Sequence, residues 1–179
     1  MAATSNTGHA VADDTGPRVI MALAGLVFVL LMIFGWLMLG SQGGYITLNP
    51  ALFYQLLTAH GIGMVGTAGI AGVGIMWYFL RLYVPLNATV LWATIGIFLA
   101  GVALILFSIF VMGFAAGWTF LYPLPAKSAG VWEPRSAIVY LVGLLLVGVA
   151  FLLVCLDVGR ASLATYVGLG RALGWLMLF

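Results

Sequence analysis

The sequence predicts an all-α integral membrane protein of four transmembrane helices, with the N-terminus inside and a C-terminal amphipathic or partial fifth helix. Three observations carry this expectation. Hydrophobic residues make up 65% of the 179 residues and charged residues 6%, against about 45–50% and about 25% in soluble chains. A soluble fold of this length has no interior large enough for so much apolar surface, whereas bilayer hydrocarbon accepts it as solvent. Four apolar runs each reach the roughly 20 residues that a spanning helix needs. The basic residues beside those runs are shared unevenly between the two sides, which sets an orientation.

The first eighteen residues are small and polar, without a basic start that leads at once into a short apolar core. They read as a flexible tail and not as a secretory signal. His9 lies in this tail and has no expected structural role. The first run is Val19 to Leu39. The second runs from Ala51 to Leu80, where Pro50 suits a first helical turn and Asn49 can cap it. The third extends from about Thr89 to Met112 and the fourth from about Ala137 to Leu156. The resulting organisation is a tail over residues 1–18, a four-helix transmembrane domain over 19–156 and a C-terminal apolar segment over 157–179. That last segment is broken by Arg171 and by glycines, and it reads as a surface helix or the stub of a fifth span.

With the N-terminus inside, Arg18, Arg81, Arg160 and Arg171 fall on the inner side and Lys127 and Arg135 on the outer. The excess favours both termini inside. The long connection from Gly113 to Ser136 then lies outside. Its GWTFLYPLP and VWEPR stretches form an interfacial aromatic belt or the wall of a site. There is no basic stripe for nucleic acid. The single cysteine, Cys155, has no partner for a disulfide and no CxxC spacing for a metal. No nucleophile with its base, phosphate loop or zinc pattern is present. Met64, Met76 and Met112 read as packing residues.

His60 is the only histidine within a span. An ionisable group in hydrocarbon is costly and is a functional candidate by default. A neutral imidazole can bind a metal through one nitrogen while the other is oriented by a hydrogen bond, and haem iron takes such ligands. The alternative is a histidine satisfied by a hydroxyl or carbonyl of a neighbouring helix. On the chemistry alone the two stand level. Gly63, Gly66, Gly69 and Gly72 recur every three residues along the same helix. They make either a close helix–helix contact or a flat face for a planar macrocycle. His60, Gly63, Met64 and Thr67 share one helical face. In the expected orientation a haem at His60 turns its propionates towards Trp118, Tyr122, Lys127 and Arg135, which supply hydrogen-bond donors and positive charge.

The stretch LLTAHGIGMVG, followed by YVPLN, resembles the second helix of haem–copper oxidase subunit I. Thr58, Ala59, His60, Met64, Val84, Pro85 and Leu86 carry that likeness. The loop AAGWTFLYPLP is similar to the family's G-W-T-x-Y-P-P-L loop through Gly117, Trp118, Thr119, Tyr122 and Pro123. The resemblance covers about residues 20 to 160, the family's first four helices. It implies that His60 is an axial ligand of a low-spin haem of unspecified type. It also implies that Trp118, with Tyr122 and Arg135 beside it, lies over the propionates. The expected role is electron transfer in the respiratory chain, in a multi-pass protein of the cell's plasma or inner membrane.

Departures accompany the likeness. The family's second low-spin ligand, its copper-binding histidines and its high-spin haem ligand have no counterparts here. NATVL lacks an acidic residue for proton uptake, and the first helix has no arginine near the haem. The expectation is that this polypeptide does not reduce oxygen alone and contains no complete active site. Its expected partners are lipid and either other oxidase subunits or a second copy of itself. In the preferred arrangement subunit I is split and a separate chain supplies the later helices. The alternatives are a homodimeric b-type membrane cytochrome with one haem between two His60 side chains, and a haem-free structural or assembly subunit.

Overall fold

A computed structural model describes residues 14–117 and 131–165. It contains four helices, α1 (Thr15–Gln42), α2 (Pro50–Leu80), α3 (Ala88–Phe110) and α4 (Pro134–Thr165), and no strand among the described residues. All four are long and apolar enough to cross a membrane. The side chains that face outward are large and apolar, with Leu26, Trp36 and Leu145 among the most exposed. In water that surface would drive aggregation. Against lipid tails it is the solvated face.

Local chemistry sets the ends. Pro50 opens α2, and the Asn49 side chain accepts the Leu52 N–H at 2.7 Å, as expected from the sequence. Asn87 caps α3 in the same way by accepting the Thr89 N–H at 2.9 Å. Beyond α3, Gly113 takes φ +78°, in the left-handed region where a side chain is disfavoured. Helix α4 begins three residues earlier than the apolar run and continues nine residues past Leu156. The extension carries Asp157 and Arg160, which pair at 2.6 Å one turn apart and so neutralise each other within the helix. At 32 residues the helix is about 48 Å long at 1.5 Å per residue, well beyond a hydrocarbon core of about 30 Å.

Helices α1 and α2 pack as one antiparallel hairpin and α3 and α4 as another, while the two hairpins touch sparingly. The tightest crossing is in the second hairpin. A Cβ added to Gly101 would stand 2.7 Å from the Gly143 carbonyl oxygen, and one added to Gly143 would stand 2.7 Å from that of Gly101. Two glycines facing each other let the backbones meet, which is how helices gain van der Waals contact where no hydrophobic drive exists between them. Between the hairpins lies an apolar cavity of about 570 Å³, walled in part by Phe34, Gly66, Phe98 and Phe151, with the Thr67 hydroxyl-bearing side chain among its lining.

Polar contacts tie the helix ends together. At one end, Gln55 donates from Nε2 to the Ile109 carbonyl at 2.7 Å, joining the start of α2 to the end of α3. Ser108 donates to the Ser136 carbonyl at 2.6 Å, joining α3 to α4. At the other end, the Asn87 N–H donates to Asp157 Oδ2 at 2.8 Å and Arg160 reaches the Pro85 carbonyl at 3.3 Å. Asp157 is therefore a buried helix residue that clamps the α2–α3 turn.

Candidate functional site: the imidazole of His60

His60 lies in the third turn of α2 and faces α1. Its Nδ1 is 2.7 Å from the Leu31 carbonyl oxygen. A carbonyl can only accept, so the proton sits on Nδ1 and the lone pair on Nε2. The ring reaches the α1 backbone because position 35 is glycine. A Cβ there would stand 3.0 Å from His60 Cε1 and 3.5 Å from each ring nitrogen. The notch is reciprocal, since the Leu31 side chain fills the space left by Gly63, where an added Cβ would meet Leu31 Cδ2 at 2.6 Å. The Nδ1 bond is the satisfied-histidine arrangement for one nitrogen. It is also the arrangement that orients a ligating imidazole. Nε2 makes no hydrogen bond with the described residues.

The glycine series serves packing more than a continuous flat face. Gly63 receives Leu31, and a Cβ added to Gly69 would stand 2.8 Å from the Phe151 ring, while one added to Gly66 would find Phe98 at an ordinary 3.9 Å and one on Gly72 open space. Two of the four are thus notches for side chains of α1 and α4. The close-packing alternative describes those two positions, while Gly63, Gly66 and Gly69 also line the cavity between the hairpins.

The other expected site residues divide. Trp118, Tyr122 and Lys127 lie outside the described residues. Arg135 stands in the first turn of α4 with its guanidinium exposed and 3.5 Å from Glu133. The residue at the root of the aromatic loop is placed. The Gly117 N–H donates to Thr58 Oγ1 at 2.9 Å, and Thr58 Oγ1 in turn donates to the Tyr54 carbonyl at 2.7 Å. Thr58 is fully buried and precedes His60 by two residues. Gly117 holds φ +80°, which glycine adopts without strain. The two motifs that carried the resemblance are therefore hydrogen-bonded to each other. Below them, Phe114 stacks on Tyr140 at 4.4 Å and meets Trp132 edge-on at 5.6 Å. Neither the Leu31 carbonyl nor the Gly117 amide was legible as a partner, because backbone groups carry no letter in the sequence.

No group of three or more potential metal-ligating side chains occurs among the described residues, and His60 is the one histidine among them. The donor set fits one axial position of an iron porphyrin and supplies no second strong ligand. Fold and site together define a helical membrane protein that presents a single backbone-oriented imidazole within the bilayer. Residues 18–177 match the family described as Cytochrome C and Quinol oxidase polypeptide I, and the chain belongs to that family. No curated protein and no solved structure matches the chain.

Proposed function

We propose that this chain is the low-spin-haem part of a respiratory haem–copper oxidase and serves electron transfer within a split or multi-chain complex in the plasma or inner membrane. The observation that carries the reading is the 2.7 Å bond from His60 Nδ1 to the Leu31 carbonyl. It leaves Nε2 as the free donor and fixes the ring against α1, as an axial ligand requires. When bound, the haem supplies one-electron cycling of its iron. His60 would hold that iron by Nε2, with its Nδ1–H donated to the Leu31 carbonyl. Trp118, Tyr122 and Arg135 are assigned to the propionates. The Gly117–Thr58 bond supports this by rooting their loop within two residues of His60. A partner polypeptide would supply the other iron ligand. The N-terminus-inside orientation belongs to the same proposal and rests on the arginine distribution.

The test is the reduced-minus-oxidised visible spectrum of the purified complex, for the native protein and for His60→Ala. The expected outcome is loss of the low-spin band while helicity and membrane insertion persist. A band that survives His60→Ala would assign the haem elsewhere. Low-spin haem in the isolated chain as a dimer would replace the split complex with a shared haem between two copies. The propionate assignment has its own readout, since Trp118→Phe is expected to shift the haem midpoint potential, and an unchanged potential removes Trp118 from that role.

A further inference from the structure

The cavity between the two hairpins is long and thin. Its wall on α1 runs from Ile20 to Phe34 and its wall on α3 from Ile95 to Phe110. At 1.5 Å per residue each wall is about 20 Å long, so the volume of about 570 Å³ is drawn out along the helix axes as a slot. A helix with its side chains is about 10–12 Å across and needs about three times that volume over the same length. A single methylene chain, about 4 Å across at van der Waals contact, fits.

The slot stays open because the hairpins are tied at their ends and lack side chains between. The Gln55 bond to the Ile109 carbonyl at 2.7 Å spans the gap at one end, and the Asn87 bond to Asp157 at 2.8 Å spans it at the other. Midway along α2, Gly66 contributes no side chain, and a Cβ there would find only the Phe98 ring at 3.9 Å. Val147 and Phe151 of α4 close the back. Val27 and Leu30 on α1, with Leu99 and Leu106 on α3, line the slot and are also exposed on the outer surface. The slot therefore has a lateral mouth between α1 and α3 that is continuous with the lipid-covered face. Thr67 carries the one polar side chain among the described lining residues. A water held inside needs two to four polar partners, so water does not fill the slot. Left empty, the lining atoms lose their contacts on one side.

We infer that one acyl chain of a membrane glycerophospholipid enters through this mouth and lies along the slot past Gly66. Hydrocarbon is the solvent at the mouth, and a chain of single methylenes matches the slot in length, width and polarity. The drive is van der Waals contact with all four helices, the same force that associates helices in lipid. The chain thereby supplies packing between two hairpins that touch sparingly. The site is independent of the haem assignment.

The experiment is native mass spectrometry of the full-length chain after exhaustive delipidating washes in detergent, with the released molecule identified by its mass. One glycerophospholipid per chain is expected to be retained. Gly66→Leu places the protein's own methyl groups in the slot and is expected to abolish retention. Gly66→Val reaches less far and is expected to reduce it, and it carries the test if the leucine variant does not fold. Gly72→Leu, on the exposed face of the same helix with nothing within 4 Å, is expected to retain lipid as the native chain does. Stripping the lipid is expected to lower the melting temperature of the native protein and to leave that of Gly66→Leu unchanged, with circular dichroism reporting the fold of each. No retained lipid in the native chain, native retention in the folded Gly66 variants, or release of an isoprenoid quinone in place of a glycerophospholipid overturns the proposal.

Discussion

At the scale of the residue, the sequence singled out His60 but not what holds it. An imidazole within an apolar run is visible as a letter. Its partner is a backbone carbonyl on another helix, reached only because Gly35 lacks a side chain. Gly35 therefore becomes the most informative position to change. Gly35→Val puts a Cβ within 3.0 Å of the ring and is expected to reduce haem retention at least about tenfold, the usual effect of losing the group that orients a metal ligand. Haem content by pyridine haemochrome assay, with helicity by circular dichroism, decides it. Native haem content in a folded Gly35→Val protein would show that the notch does not orient the ring. Thr58 illustrates the same blindness, since only the fold reveals that its hydroxyl serves Gly117. Thr58→Val leaves the Gly117 N–H without its acceptor and is expected to destabilise by about 1–3 kcal/mol, measured by denaturant unfolding in micelles.

At the scale of the element, four spans and the Asn49 N-cap were legible because run length and Asn-Pro chemistry are local properties. Helix ends that depend on distant groups were not. The extension of α4 past Leu156 relies on Asp157 finding Arg160 within the helix and the Asn87 amide across the bundle. Glycine spacing was a partial guide. The three-residue series of α2 drew attention, yet the closest backbone approach belongs to Gly101 and Gly143, which stand in no such series. Gly143→Leu is expected to force α3 and α4 apart by pressing on Gly101 and Ile105, with a loss of about 1–3 kcal/mol or more from overpacking. Gly72→Leu, which meets nothing within 4 Å, should be close to neutral in the same unfolding assay. If the two variants unfold alike, the crossing at Gly101 and Gly143 is not the contact that holds the hairpin.

At the scale of the whole molecule, composition alone announced a membrane protein, and the described helices agree. Orientation has a direct measurement. With Cys155 replaced by alanine, Tyr45→Cys in the α1–α2 turn is expected to react with an impermeant maleimide from outside intact cells. Leu82→Cys in the α2–α3 turn is expected to react only after permeabilisation, and the reverse pattern inverts the bundle. The hairpin architecture has a further consequence through the Leu31 carbonyl. Because the acceptor is backbone, no substitution of the Leu31 side chain deletes it; the bond is lost only when the ring or α1 itself shifts. A slide of α1 along α2 by one residue is about 1.5 Å, and taken along the bond it carries an acceptor at 2.7 Å out of hydrogen-bonding range. The register of one helix against its neighbour therefore decides whether the ring keeps its Nδ1 partner.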